Sequence, residues 1–251
     1  SSQHEPDVAC QRANEVLAKA IDIGDALIEA YVAHAFRVRT SSGQPLDTLL
    51  GVNLAHSPPQ APWEAKLRAT FNSAWVPLNW MHVEAEESEA DWSTYDEQIA
   101  WCRKAGLRIC GGPLLQLDQR GLPDWLCLWE GEFENLLPIV GGYVRTAVER
   151  YRGKVHLWQC AARINGRSVL SLSEEDKLKL VVHAIDIIRQ NDEETPVMVS
   201  FDQPWGEYLS RIESDLSPLH IADALVPSGL CISAVGLEMN VGYHPLGTAL
   251  Y

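Results

Sequence analysis

The sequence has little of what would commit it to a membrane or a nucleic acid. No apolar run approaches the roughly 18 residues of a membrane-spanning helix. The opening stretch SSQHEPDVAC has no basic region followed by an apolar one, so no signal peptide is visible. Basic residues are scarce: 20 Lys and Arg against 34 Asp and Glu give a formal charge of −14. Phosphate backbones are held by clustered Lys and Arg, so neither a nucleic acid nor a membrane partner is expected. The six cysteines, at 10, 102, 110, 127, 160 and 231, form no CxxC and no closely spaced pair. Cys110, Cys160 and Cys231 lie in or beside apolar runs, and the six read as buried free thiols, as in a reducing compartment, which favours a cytoplasmic location; an extracytoplasmic one fits if the chain is processed. GxGxxG, GxxxxGK[ST] and GxSxG are all missing, and no cofactor is expected. The acidic stretch Glu84, Glu86, Glu87, Glu89 and Asp91 has no His or Cys converging on it. It reads as a solvated loop, and no metal site is expected.

What is present is an alternation of helix and strand. Apolar spacing of three and four over 10–36 predicts a long helix, interrupted only by Gly24. Extended runs follow at 48–55, 73–80, 107–115, 154–162, 196–202 and 234–240, separated by helical patterns. Among these, 93–104 is expected to be capped by Asp91 or Ser93 and to stop at Gly106. The helix over 130–151 is expected to break near Pro138, and Ser173 opens a capping box. Continuous apolar strands between helices predict a parallel sheet covered on both faces. The fold class is therefore α/β, a TIM (β/α)8-type barrel with about six βα units in this chain, preceded by the long N-terminal helix. Function in such a barrel belongs at the strand C-terminal ends. Those ends are Asn53 and His56; Asn79, Trp80 and His82; Pro113 and Gln116; Arg163 and Asn165; Asp202 and Gln203; and Glu238 and Asn240.

Over roughly residues 71–243 these motifs resemble glycoside hydrolase family 10, the xylanase family. FNSAWVPLNWMHVEAEES is similar to the family's second-strand region, LPDWL to its LPxW element, AVERYRGKVHLWQCAARIN to its fourth strand, and SAVGLEMNVGY to its sixth. The resemblance implies residues 47–251 as an incomplete family barrel, with residues 1–46 a helical segment packed on it. It also implies a retaining glycosidase, working through two carboxyl groups about 5–5.5 Å apart. This chain departs from that pattern. Arg163 stands at the position of the acid/base Glu, Ala162 at the Asn before it and Gln159 at the Asp of the same strand. Pro77, Asn79 and Met81 are kept, but Leu78 and His82 stand for a Glu and a Lys. Gly112, Gln116 and Leu117 stand for the family's two histidines and a tryptophan, and Glu238 and Asn240 for a Gln and a His. Strand seven, which bears the nucleophile, has no counterpart in the sequence. A further stretch of chain, or another chain, is expected to complete the barrel.

Two readings stand for each candidate. Asp202 and Glu238, ending neighbouring strands, form either a displaced catalytic pair or ordinary rim carboxylates. Arg163 binds an anionic sugar group or makes a salt bridge to Asp202 or Glu238. Trp80 and Trp205 stack on a sugar or belong to the core; His82 is a neutral donor in place of Lys; Asn79 and Asn240 hold sugar hydroxyls. His156 and His183 read as structural histidines. The expected partner is thus a polysaccharide or oligosaccharide. The function lies between a diverged or impaired xylanase-like glycosidase, a non-catalytic polysaccharide-binding barrel and an assembly scaffold.

Overall fold

The computed structural model describes residues 4–41, 43, 48–55, 57–60, 62–204, 217–226 and 229–239. The chain divides into two units, one holding α1 (His4–Thr40) and the other comprising residues 49–239. Helix α1 extends beyond the 10–36 read from the sequence at both ends. Gly24 does not interrupt it, because an isolated glycine costs a helix only about 1 kcal/mol.

The second unit is built on parallel strands β1 (Gly51–Asn53), β2 (Ser73–Val76), β3 (Arg108–Gly111), β4 (Leu115–Gln116), β5 (Leu157–Ala162), β6 (Val197–Asp202) and β7 (Ala234–Glu238). Their spatial order is β1-β2-β3-β5-β6-β7, with β4 also on β5. Sequence order equals spatial order, as in a barrel and unlike a doubly wound sheet, in which the order reverses. The third predicted strand is split. Cys110 and Gly111 pair with Leu157 and Trp158, whereas Leu115 and Gln116 pair with Ala161 and Ala162. Between them lies Gly112 at φ 127°, a conformation that disfavours any side chain, followed by Pro113, which has no N–H to give to the ladder.

Helices α2 (Trp63–Thr70), α4 (Ser93–Ala105), α5 (Phe133–Tyr151), α6 (Glu174–Asn191) and α7 (Pro218–Leu225) occupy the connections. The short α3 (Trp80–Val83) follows β2, and a 3-10 turn covers Asp124–Trp129. Gly106 ends α4 in the left-handed conformation, as its position predicts. The start of α4 differs from expectation: Trp92 is the cap residue and offers no side-chain bond, while Asp91 accepts from the Ser93 amide at 2.9 Å. Helix α5 also runs unbroken through Pro138. Its apolar face (Leu136, Val140, Val144, Ala147, Val148) packs onto α6, and this burial outweighs one lost backbone bond. Close approach of α5 and α6 depends on Gly141, where an added Cβ would stand 2.7 Å from His183 Nε2. The Ser173 hydroxyl caps α6 by accepting from the Asp176 amide at 3.1 Å.

The core lies between sheet and helices. Trp158, Tyr151, Phe201, Leu180 and Ile185 are among its fully buried side chains, each contributing roughly 1.5–3 kcal/mol of transfer free energy. Cys102, Cys110 and Cys160 are buried free thiols, but the expectation of burial fails for Cys231, which is exposed despite its apolar neighbours, and for Cys10 and Cys127. No helix among the described residues is long and apolar enough to cross a membrane.

Candidate active site at the barrel mouth

Alternation along parallel strands turns every second side chain to the concave side. Met198 and Ser200 on β6, Gly236 and Glu238 on β7, and Gln159 on β5 therefore share one hollow with Asn53, Trp75, Gln116 and Arg163. Its volume is about 440 Å³. A continuous polar chain crosses it. Trp75 Nε1 donates to Gln159 Oε1 at 2.8 Å, Gln159 Nε2 to Ser200 Oγ at 2.8 Å, and Ser200 Oγ to Glu238 Oε1 at 3.4 Å. Glu238 Oε2 then accepts from Arg163 Nε at 2.7 Å, and Arg163 Nη1 lies 3.5 Å from Asp118 Oδ2. Asp118 Oδ1 accepts from Gln116 Nε2 at 2.7 Å and from the Arg120 amide at 2.9 Å.

Arg163 is the centre of this chain. Its amide donates to the Ser200 carbonyl at 3.0 Å, and its φ of 55° turns the chain sharply at the end of β5. Burial opposes its charge, but the hydrogen bond and attraction of Glu238, with Asp202 and Asp118 adding, outweigh that and raise its pKa above the ordinary arginine value. A guanidinium so placed stays protonated and cannot exchange a proton with a leaving group.

Of the other predicted residues, Asp202 is brought beside Glu238 by the register of β6 and β7, and the rest are dispersed. Asp202 spends Oδ1 on the Gln203 amide at 2.9 Å, and its backbone is clamped by Asn165, whose Nδ2 donates to the Asp202 carbonyl at 2.6 Å. It does not line the hollow. Asn79 caps α3 by accepting from the Met81 amide at 3.1 Å, and its Nδ2 donates to the Arg120 carbonyl. Trp80 is 2% exposed, stacked on Tyr143 at 4.5 Å and bonded through Nε1 to Glu84 Oε2 at 2.8 Å. Its ring belongs to the core aromatics and offers no face to the mouth. His82 is exposed on α3, away from the hollow. Trp205, Asn240 and His56 lie outside the described residues. His156 is structural: its Nδ1 accepts from the Ile109 amide at 3.0 Å. The described residues contain no cluster of three or more His, Cys, Asp or Glu suited to a metal.

Sequence reasoning missed Trp75, Ser200 and Asp118 as site residues. The signal for Ser200 was present: it is the polar residue of an apolar strand, two positions from Asp202 and so on the same face.

Comparison with known proteins agrees with the barrel fold. Residues 50–164 match the family model described as Glycosyl hydrolase family 10. These residues are similar to that family, and the second unit has, in part, the barrel fold of its solved members. Endo-1,4-beta-xylanase C of Paenibacillus barcinonensis is 23% identical over 212 residues, covering 74% of this chain and 19% of that protein. A solved family 10 structure from Paenibacillus barcinonensis superposes with a TM-score of 0.62 at 19% identity, over 76% of this chain and 60% of that one. Xylanase 10C from Cellvibrio japonicus, solved with xylopentaose, superposes at 0.64 with 14% identity, over 78% and 42% of the two chains. The chain thus spans less than two thirds of the length of these relatives, and at such identities the structural likeness carries the fold alone.

Proposed function

We propose that this family 10 barrel binds a polysaccharide at its mouth without hydrolysing it by the two-carboxylate route. The observation that carries this reading is the ion pair of Arg163 and Glu238. Retaining glycosidases need one carboxyl group that gives and retakes a proton and a second about 5–5.5 Å away that attacks the sugar. Arg163 cannot do the first, and Glu238 already serves as its acceptor. Asp202 stands beside Glu238 in the register of β6 and β7, but it is bonded to its neighbour's amide while Glu238 is held by Arg163, so the two acids are not a free pair. What stays is a hollow with an aromatic wall, Trp75, and polar groups on Asn53, Gln116 and Gln159. That composition suits a sugar ring and its hydroxyls.

The test uses the full-length protein with xylohexaose and xylan. Calorimetry is expected to show binding that weakens in Trp75→Ala, and reducing-end assays no turnover. Arg163→Glu alone is expected to stay inactive, because the Lys and His contacts of the family are also replaced. Hydrolysis by the wild type that disappears in Asp202→Asn or Glu238→Gln would overturn the proposal in favour of relocated carboxylates. The scaffold reading draws on β7, an edge strand of the described sheet with Val235 and Leu237 exposed. It gains if neither sugar binds.

A further inference from the structure

Beside the mouth, between the loop after β4 and the loop after β5, lies a larger pocket of about 770 Å³. Three arginines line it, Arg120, Arg163 and Arg167, with two carboxylates, Asp118 and Asp124. In a chain of net charge −14 this is an unusual concentration of positive charge. The charges are unequally engaged. Arg163 is held by Glu238 and approached by Asp118, and Asp118 is further bonded to Gln116 and to the Arg120 amide. Arg120 and Arg167, both exposed, form no salt bridge to any carboxylate among the described residues.

Both loops are fixed in place. The Arg120 amide donates to Asp118 and its carbonyl accepts from Asn79. In the other loop, Gly166 N donates to the Arg163 carbonyl at 2.8 Å, Lys177 Nζ to the Gly166 carbonyl at 3.0 Å, and Val169 N to the Leu117 carbonyl at 2.9 Å. The two unengaged guanidiniums thus project from anchored backbone, which lowers the ordering cost of binding.

We infer that this pocket binds the anionic group, carboxylate or sulfate, of an acidic saccharide, with Arg120 and Arg167 as its ligands and Arg163 as a closed wall. The inference rests on the glycan-binding reading of the mouth and names the class of sugar. Guanidinium forks match both oxyanions, and such charge-assisted bonds are the stronger kind.

The test compares three probes on the full-length protein by calorimetry at low salt: hexagalacturonate, a sulfated hexasaccharide and neutral xylohexaose. One of the anionic probes is expected to bind at least about tenfold tighter than xylohexaose, and which of them does so identifies the oxyanion. In Arg120→Gln/Arg167→Gln that preference should fall by about tenfold or more, while Arg108→Gln, at the opposite end of β3, should leave it in place. Thermal melting of each variant checks the fold. No preference in the wild type, a preference that survives the double substitution, or an equal loss in Arg108→Gln would each overturn the inference. If xylohexaose fails to bind while the anionic preference is present and lost in the double variant, the mouth reading falls and the pocket stands.

Discussion

Replacing Arg163 by Ala and by Gly separates its two roles, counterion and turn. Arg163 and Glu238 are 2.7 Å apart, with side chains 29% exposed. Exposed pairs contribute about 0–1 kcal/mol, whereas leaving a buried charge unpaired costs about 3–5 kcal/mol. This pair lies between those limits, so Arg163→Ala should cost about 2 kcal/mol. Alanine would also keep the penalty of φ 55°, which glycine does not carry. Arg163→Gly should therefore be more stable than Arg163→Ala by about 0.5–1 kcal/mol, although it deletes more atoms. Adding Glu238→Gln to Arg163→Ala removes the orphaned charge and should restore about 1 kcal/mol. Urea unfolding followed by tryptophan fluorescence measures all four proteins, and about 1 kcal/mol corresponds to roughly 2–4 °C in Tm for a chain of this size. An Arg163→Ala protein as stable as wild type, or an Arg163→Gly protein less stable than Arg163→Ala, would refute the reasoning.

Three further outcomes are expected. Gly121→Ala places a Cβ 2.1 Å from the Gln116 carbonyl oxygen and should destabilise by about 1–3 kcal/mol in thermal melts, whereas Gly24→Ala, with nothing within 4 Å, should raise the helicity of α1 by circular dichroism. Despite its burial, Asp192 is held below the usual carboxylate pKa by the Trp158 indole at 2.9 Å and by Thr195. Its contribution is complete above the unfolded pKa near 3.8 and is lost as pH falls through the folded value; the stability gap between wild type and Asp192→Asn should narrow over that interval in pH-dependent urea titrations. Burial pushes the Cys102 thiol up to about 12 and raises Cys110 and Cys160 as well, so a disulfide reagent at pH 8 should modify Cys10, Cys127 and Cys231 in the native protein and the other three only in denaturant; rapid reaction of a fourth thiol would contradict the burial.

The barrel was legible because its strands are continuous apolar runs and its helices carry one apolar face each. The break at Gly112 and Pro113 shows how far that goes: the run LRICGGPLL reads as one strand, and only backbone geometry divides it. Trp80 shows a different limit. Its place in the second-strand motif suggests the mouth, but α3 carries its ring onto Tyr143, a partner 63 positions along the chain that no local pattern indicates. The polar chain from Trp75 to Asp118 was hidden for the same reason, since each link joins residues of a different strand or loop. Arg163 was legible in position and not in partner: Asp202 and Glu238 were equal candidates until the register of β5, β6 and β7 set Glu238 against its Nε.

The arrangement around Arg163 also bears on reversibility. A glutamate placed at that one position would bring a new negative charge beside Glu238 and Asp118, both of which face a cation. Like charges that close destabilise the ionised forms of one another, so an acid at this position is opposed by the neighbours the arginine holds. A route that first neutralises Glu238 meets the opposite obstacle, a half-buried guanidinium stripped of its main partner. The cluster is in this sense interlocked: each of its residues is acceptable because of the others, and changing one charge alone works against the rest.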